Sequence, residues 1–471
     1  MPIKITRTIK VNGKEYRSLD DMPSDVRALY QEAMGSRGTH HVKVNRITFN
    51  GREISPAALT FALIAVLVLI ALVFLSAAGE PRFVLARDTY LIDDVIPIVV
   101  EGLSPRATVT IDVGNGERQN PLASSATFVA DANGRVDVSS TAPSKGEYSG
   151  VDAMGLFWST RREHPGSGPG RAGDETLEEL SAWTLAAKVD GRVVAEKTIN
   201  RFAVDPSVKI SRVRERGLVG TFYEAAGAGR HPAMIVLTGS GGGIPPPAGP
   251  AGGLASRGYD VLALAYFNAE RLPRTLSDIP LEYFQTALEW LAAQPSVDTD
   301  RIGVLGHSRG AELALLLGVL YPHLHAVLAV APSNVVWGGC CDRFSAVAWT
   351  VQGRPVARAE IPVEKIRGAV LLISGKDDGV WRSTEMGNAI AARLQRNHFE
   401  FPFRHVAYDH AGHALARPYT TTTNINSLRH PLTGNLMHMG GTFEGTAHAR
   451  EAAWRETLAF LDANLAGTRH E

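Results

Sequence analysis

Ser308 stands in the run VLGHSRGAELAL, Val304 to Leu315, with Gly306 and Gly310 two residues to either side. A serine hydroxyl is inert at its own pKa and turns nucleophilic only beside a base that an acid orients. Candidates for both follow in the chain: Asp377 and Asp378 in KDDGVW, then His410 and His413 in DHAGHAL. Of each pair, Asp378 and His413 are favoured, His413 because Gly412 frames it in a loop mobile enough to lay the imidazole over Ser308. Acyl transfer also needs donors for the oxyanion. One is expected from the backbone N–H of Arg309, next to the nucleophile, and the other from LTGSGGG (Leu237 to Gly243), with Ser240 preferred and Gly241 next. That loop carries neither GxGxxG nor a GK[ST] ending, so phosphate binding is disfavoured.

The elements that must position these groups are legible as apolar runs. A GxSxG pattern by itself is common by chance, and its setting gives it weight. Ile302 to Leu305 reads as a buried strand and Ala311 to Leu320 as a helix, so Ser308 falls on the turn between them. There glycines permit a sharp, strained backbone, and the helix N-terminus favours developing negative charge. AMIVLTG, DVLALAYF, AVLAVAPS, AVLLISG and FRHVAY are further continuous apolar runs, alternating with amphipathic stretches such as LEYFQTALEWLAAQ. Strands buried on both faces with crossover helices imply an α/β sheet over residues 206–468. The order Ser, Asp, His and the strand-end positions fit an α/β-hydrolase fold, whose site lies at the carboxyl edge of the sheet. Glu312, one turn beyond Ser308, reads as a structural partner of Arg309 or of nearby loop amides, and His307 as a packing or hydrogen-bonding neighbour.

Residues 81–205 have a different grammar. Short β-rich runs are separated by Asn115-Gly116, Asn133-Gly134 and Asp190-Gly191, which suggests an immunoglobulin-like sandwich of roughly seven strands. Residues 1–56 are polar, with a hairpin pattern around Asn12-Gly13 and a helical stretch after Ser24. Between them, residues 57–78 (AALTFALIAVLVLIALVFLSAA) carry no charge. At ~1.5 Å per residue this run spans the ~30 Å core of a bilayer, so a single transmembrane helix is expected. Lys43, Arg46 and Arg52 precede it, against Arg82 and Arg87 after it. That is a bias of three to two towards a cytoplasmic N-terminus and leaves the side of the catalytic part open.

Lys and Arg total 48, as do Asp and Glu, so no global field draws the chain to nucleic acid. The only cysteines, Cys340 and Cys341, are adjacent. Disulfide frameworks and CxxC zinc sites are therefore excluded, and both read as thiols in a loop.

The motifs LTGSGGG, GYDVLALAYFN, IGVLGHSRGAELAL, APSNVVWGG, LLISGKDDGVWRS, YDHAGH and GGTFEG together resemble acyl-CoA thioesterases and the related bile acid-CoA:amino acid N-acyltransferases. Upstream, LIDDVIPIVVEGLSPRATVTI and GEYSGVDAMGLFWST resemble that family's N-terminal sandwich, so the likeness runs from about Phe83 to Leu465. The resemblance implies Ser308 as nucleophile, Asp378 as acid and His413 as base, with an acyl-serine intermediate and neither metal nor bound cofactor. It implies an acyl-CoA substrate, while a serine esterase or amidase acting on other acyl groups has the same mechanism. Acyltransferases to amino acids in this family resemble the hydrolases but carry cysteine at the elbow. Serine here points to water as acceptor. Residues 1–80, with the membrane segment, fall outside the family pattern.

Overall fold

The computed structural model describes residues 9–11, 13–35, 47–49, 52–54, 65, 79–116, 121–162, 180–341, 347–415, 419–422 and 428–465. The expected membrane segment, residues 57–78, lies outside these apart from Ala65. Among the described residues no helix is long and apolar enough to cross a membrane. Two compact units divide the chain, Met1–Gly79 and Glu80–Glu471. In the first, Ile9–Val11 pairs with Lys14–Tyr16 around Gly13, whose φ of 85° suits the tight turn, as expected from Asn12-Gly13. A helix covers Ser24–Gly35, and a second small hairpin, Ile47–Phe49 with Arg52–Ile54, was not anticipated.

The carboxyl part of the second unit is built on eight strands: β1 (Lys209–Val213), β2 (Val219–Glu224), β3 (His231–Leu237), β4 (Asp260–Ala265), β5 (Val297–His307), β6 (Ala326–Val330), β7 (Ala369–Gly375) and β8 (Phe403–Tyr408). Their spatial order is β1-β2-β4-β3-β5-β6-β7-β8, with β2 antiparallel to both neighbours and the rest of the ladder parallel. This is an α/β-hydrolase sheet. Every residue of β4 and β7 is buried, which is why these strands read as unbroken apolar runs rather than alternating ones. Helices α1 (Pro250–Ser256) and α5 (Phe443–Asn464) cover one face through Leu254, Trp454 and Leu461. On the other face α2 (Glu282–Ala292), α3 (Arg309–Leu320) and α4 (Ser383–Arg396) supply Phe284, Leu313, Leu317 and Ile390.

The sandwich is larger and less even than the seven-strand expectation. A seven-stranded sheet faces a three-stranded one, and their inner residues, among them Ile98, Val100, Ile111, Phe128 and Leu185, make one core. One edge is parallel rather than antiparallel, Thr89–Leu91 beside Asn200–Phe202. Asp190 and Gly191, both at positive φ, close the long hairpin Leu180–Val189 with Arg192–Phe202. The boundary expected near Pro206 separates two cores but not two bodies. Tyr419 and Ala447 of the carboxyl half pack into the sandwich core, and Trp454 Nε1 donates to Asp93 Oδ2 at 2.9 Å. The amphipathic pattern of α5 therefore serves two neighbours at once.

Candidate active site

Ser308 sits between β5 and α3 with φ 59° and ψ −120°, a conformation rarely adopted outside glycine. The strained backbone expected at this turn falls on the serine itself. Gly306 and Gly310 are needed for close approach: a Cβ on Gly306 would overlap the Gly310 carbonyl, and one on Gly310 would overlap that of Thr238. Two hydrogen bonds hold the turn, Ser308 N–H to Val330 O at 2.8 Å and Ala311 N–H to Ser308 O at 2.8 Å. The hydroxyl is thereby raised above the edge of the sheet, with Ser308 7% exposed.

Asp378 follows β7 and His413 follows β8. The ring of His413 bridges the other two groups: Nδ1 lies 2.8 Å from Asp378 Oδ2 and Nε2 lies 2.9 Å from Ser308 Oγ. A carboxylate only accepts, so Nδ1 carries the proton and Nε2 presents its lone pair to the serine O–H. Burial pushes the Asp378 carboxyl up. Hydrogen bonds from His413, Ser383 Oγ (2.6 Å) and the N–H of Val380 (2.9 Å) outweigh it and hold the group below the usual aspartate value. The competing residues stay apart from the serine. The side chains of His410 and Asp377 lie 3.7 Å from each other, in solvent.

Hydrogen bonds tie the loop bearing His413 to its neighbours. His413 N–H donates to Met439 O at 2.7 Å, Gly412 N–H to Thr446 Oγ1 at 3.2 Å, and Asp377 N–H to Ala411 O at 3.0 Å. The segment Gly440–Gly445 (GGTFEG), quoted above only as a likeness, is the strut beneath both loops. Gly440 has φ 73°, and a Cβ there would overlap the Asp377 carbonyl. Thr442 caps α5 by accepting from Gly445 N–H at 2.9 Å. His307 donates from Nε2 to His413 O at 2.9 Å, the hydrogen-bonding neighbour expected. Burial, then the nearby His413 ring, lowers its pKa to about 4.

Leu237–Gly243 crosses over the serine so closely that a Cβ on Gly239 would stand 3.1 Å from Ser308 Cβ. Its outer turn is fixed by Asn268 Nδ2 to Gly241 O (2.8 Å) and Gly243 N–H to Phe267 O (2.9 Å). Among the described residues, the backbone N–H groups of Ser240 and Arg309 have no protein acceptor. The Ser240 hydroxyl lies 3.1 Å from His430 Nε2, and Cys341 Sγ lies 3.4 Å from Ser240 O, so the adjacent thiols border this loop. Neither His430 nor Cys341 could be placed here from sequence, since each comes from a distant loop.

Glu312 is fully buried and, as expected, bound to Arg309 (Oε2 to Nη1, 3.1 Å) and to a loop amide, Trp337 N–H (3.2 Å). Trp349 Nε1 donates to the same Oε1 at 2.7 Å. Burial raises its pKa to about 7 against these partners. Two further aromatics were missed. Trp381 meets the His413 ring edge-on at 5.8 Å and lies nearly parallel to Trp337, with centroids 6.3 Å apart. Among the described residues no cluster of His, Cys, Asp and Glu is arranged to hold a metal ion.

With this geometry in view, comparison with known proteins is decisive for the family. Residues 93–215 match the family model "Acyl-CoA thioester hydrolase/BAAT N-terminal region", and residues 279–342 and 343–467 match "BAAT / Acyl-CoA thioester hydrolase C terminal". The chain belongs to the acyl-CoA thioesterase and bile acid-CoA:amino acid N-acyltransferase family. Among curated members, acyl-coenzyme A thioesterase 1 of Rattus norvegicus is 28% identical over 80% of this chain and 95% of its own. Peroxisomal succinyl-coenzyme A thioesterase of Mus musculus is 27% identical over 80% and 94%. Acyl-coenzyme A amino acid N-acyltransferase 1 of Mus musculus is 28% identical over 80% and 95%. Of solved structures, an alpha/beta hydrolase from a Medee basin deep-sea metagenome library is 16% identical with a TM-score of 0.39, over 56% of this chain and all of its own.

Proposed function

We propose that this member of the family is an acyl-CoA thioesterase that works through Ser308, His413 and Asp378. The observation that carries the reading is the continuous relay from Asp378 through both nitrogens of His413 to the Ser308 hydroxyl. His413 Nε2 takes the serine proton as Oγ attacks the thioester carbonyl, and the imidazolium that forms is stabilised by the ionised Asp378. The oxyanion is held by the N–H of Arg309 and of Ser240, two of the backbone amides at these turns that have no protein acceptor among the described residues. The thiolate departs as the carbonyl reforms, leaving an acyl-serine. The departing thiolate takes the proton back from His413 Nε2, and the neutral imidazole then deprotonates a water whose oxygen attacks the acyl-serine. His413 returns that proton to Ser308 Oγ as the carboxylic acid leaves. A thiol needs little help to leave, which suits a site whose only acid–base group in contact with the nucleophile among the described residues is His413. Serine in place of cysteine at the elbow favours water over an amino acid as acceptor.

The uncharged run 57–78 supports attachment of the enzyme to a bilayer as a single-pass protein. The test uses the full chain in detergent, intact and as Ser308→Ala, with acyl-CoA and p-nitrophenyl esters side by side. Ser308-dependent release of free thiol at high kcat/KM is the expected result. Ester cleavage without thiol release removes CoA from the reading and turns it to an esterase. Product appearing as an N-acyl amino acid when glycine or taurine is added turns it to an acyltransferase.

A further inference from the structure

The two indoles at the mouth of the triad have both turned their polar edges inward. Trp381 Nε1 donates to Ala331 O at 3.2 Å, and Trp337 Nε1 donates to Ser333 Oγ at 2.9 Å. What they leave is carbon: rings 21° from parallel, with Trp337 42% exposed and Val380, beside Trp381, 36% exposed. Surface of this kind offers dispersion and exclusion of water but no donor or acceptor. An amide or a phosphate laid on it forfeits hydrogen bonds to water, whereas an alkyl chain forfeits nothing.

Trp337 does not rest on this surface by chance packing. Its peptide is gripped from both sides by the first turn of α3. The N–H donates to Glu312 Oε1 at 3.2 Å, while Arg309 Nη2 donates to the carbonyls of Trp337 (3.4 Å) and Gly338 (2.9 Å). Arg309 and Glu312 pair with each other and are themselves almost wholly buried. The clamp therefore begins one residue after the nucleophile, and the aromatic wall and the serine share one support.

We infer that the exposed face of Trp337 and the half-buried ring of Trp381 form the subsite for the hydrocarbon chain of the acyl group, with the Arg309–Glu312 pair as its positioning device. The substrate class rests on the thioesterase reading; the apolar character of the subsite does not.

The test is the dependence of kcat/KM on chain length for the full-length enzyme. Linear acyl-CoA substrates of increasing length are run in parallel with p-nitrophenyl esters of the same acids. While the chain lies on the wall, each added methylene raises kcat/KM roughly fourfold. Trp337→Ala is expected to cut that to about twofold or less over the same range, since one face of the site is gone. Labelling of Ser308 by a fluorophosphonate reports that each variant is folded. If Trp337→Ala does not take the label, Trp337→Phe decides, with an intermediate slope expected and an unchanged slope against the proposal.

Glu312→Gln keeps an acceptor for Trp337 and Trp349 but weakens the grip on Arg309. It is expected to lower the slope less than Trp337→Ala, through KM for long chains rather than through kcat. A slope identical to wild type in that variant removes the clamp from the proposal. A slope unchanged by Trp337→Ala in both substrate series overturns the subsite. If only the esters are cleaved and their slope falls, the subsite stands while the thioesterase reading fails.

Discussion

Two aspartate–histidine pairs lie side by side in this chain, and of the two only Asp378–His413 reaches the Ser308 hydroxyl. Asp378 and His413 meet at 2.8 Å with both side chains 2% exposed, whereas Asp377 and His410 meet at 3.7 Å with side chains 52% and 75% exposed. The residue types are the same and the acids are consecutive. The difference lies in what surrounds them. Asp378 turns into a nest of donors from Val380, Trp381 and Ser383 that holds its charge in a dry place. Asp377 and His410 point to water, which screens any interaction between them. His410 still has work, through its backbone: its carbonyl accepts from Thr442 N–H at 2.8 Å and so ties the base loop to the start of α5. Identity of a side chain selects the candidates; burial and donor count select among them.

The largest expected effect tests whether the inner pair and the serine act as one unit. Ser308→Ala and His413→Ala should each lower kcat by roughly 10⁴-fold or more, and the double variant by little beyond that. Thiol release from acyl-CoA measures it, and additive losses would break the unit apart. Asp378→Asn comes next, at roughly 10³- to 10⁴-fold, because the wrong tautomer of His413 would be held.

The strut sharpens the comparison from below. Gly440→Ala forces a Cβ into the Asp377 carbonyl at a positive φ, at a cost of about 2 kcal/mol or more, and should lower both Tm and kcat. A fall in Tm with kcat intact would show that the inner pair does not need the strut.

His307 predicts a pH dependence. Its folded pKa is about 4 against an ordinary value near 6.5, so between these the unfolded chain binds more protons. Its contribution, at most about 3 kcal/mol, is present above pH ~6.5 and is lost as pH falls through about 4. Denaturant titrations at pH 7 and pH 4.5 should show a smaller difference for His307→Asn than for wild type. The smallest effect belongs to the outer pair: Asp377→Asn and His410→Ala should stay within about twofold of wild-type kcat. A loss in either approaching that of its inner neighbour would overturn the assignment.

Much of this was open to a reading of the chain. Unbroken apolar runs at Asp260–Ala265 and Ala369–Gly375 announced strands covered on both faces, and Asp190-Gly191 announced a hairpin, because backbone periodicity and turn geometry are local properties. The candidate nucleophile was legible for the same reason, as a serine between a strand and a helix with a glycine two residues to either side. The sandwich was less legible, since its parallel edge at Thr89–Leu91 depends on a strand more than a hundred residues away.

Sequence alone therefore determined the candidates and their order along the chain: Ser308, an acid after one strand, a histidine after another, and a glycine-rich loop upstream. Tertiary structure decided which acid and which histidine meet the serine, that Ser308 carries the strained backbone, and that Gly440 and Thr442 brace the loop of His413. It also brought Trp337 and Trp381 to the mouth of the site, Trp337 bound through Arg309 and Glu312 to the turn that holds Ser308. Strand-to-helix turns are set by neighbours in sequence. Burial, hydrogen-bond supply and a shared wall are set by segments that meet only when the sheet closes around them.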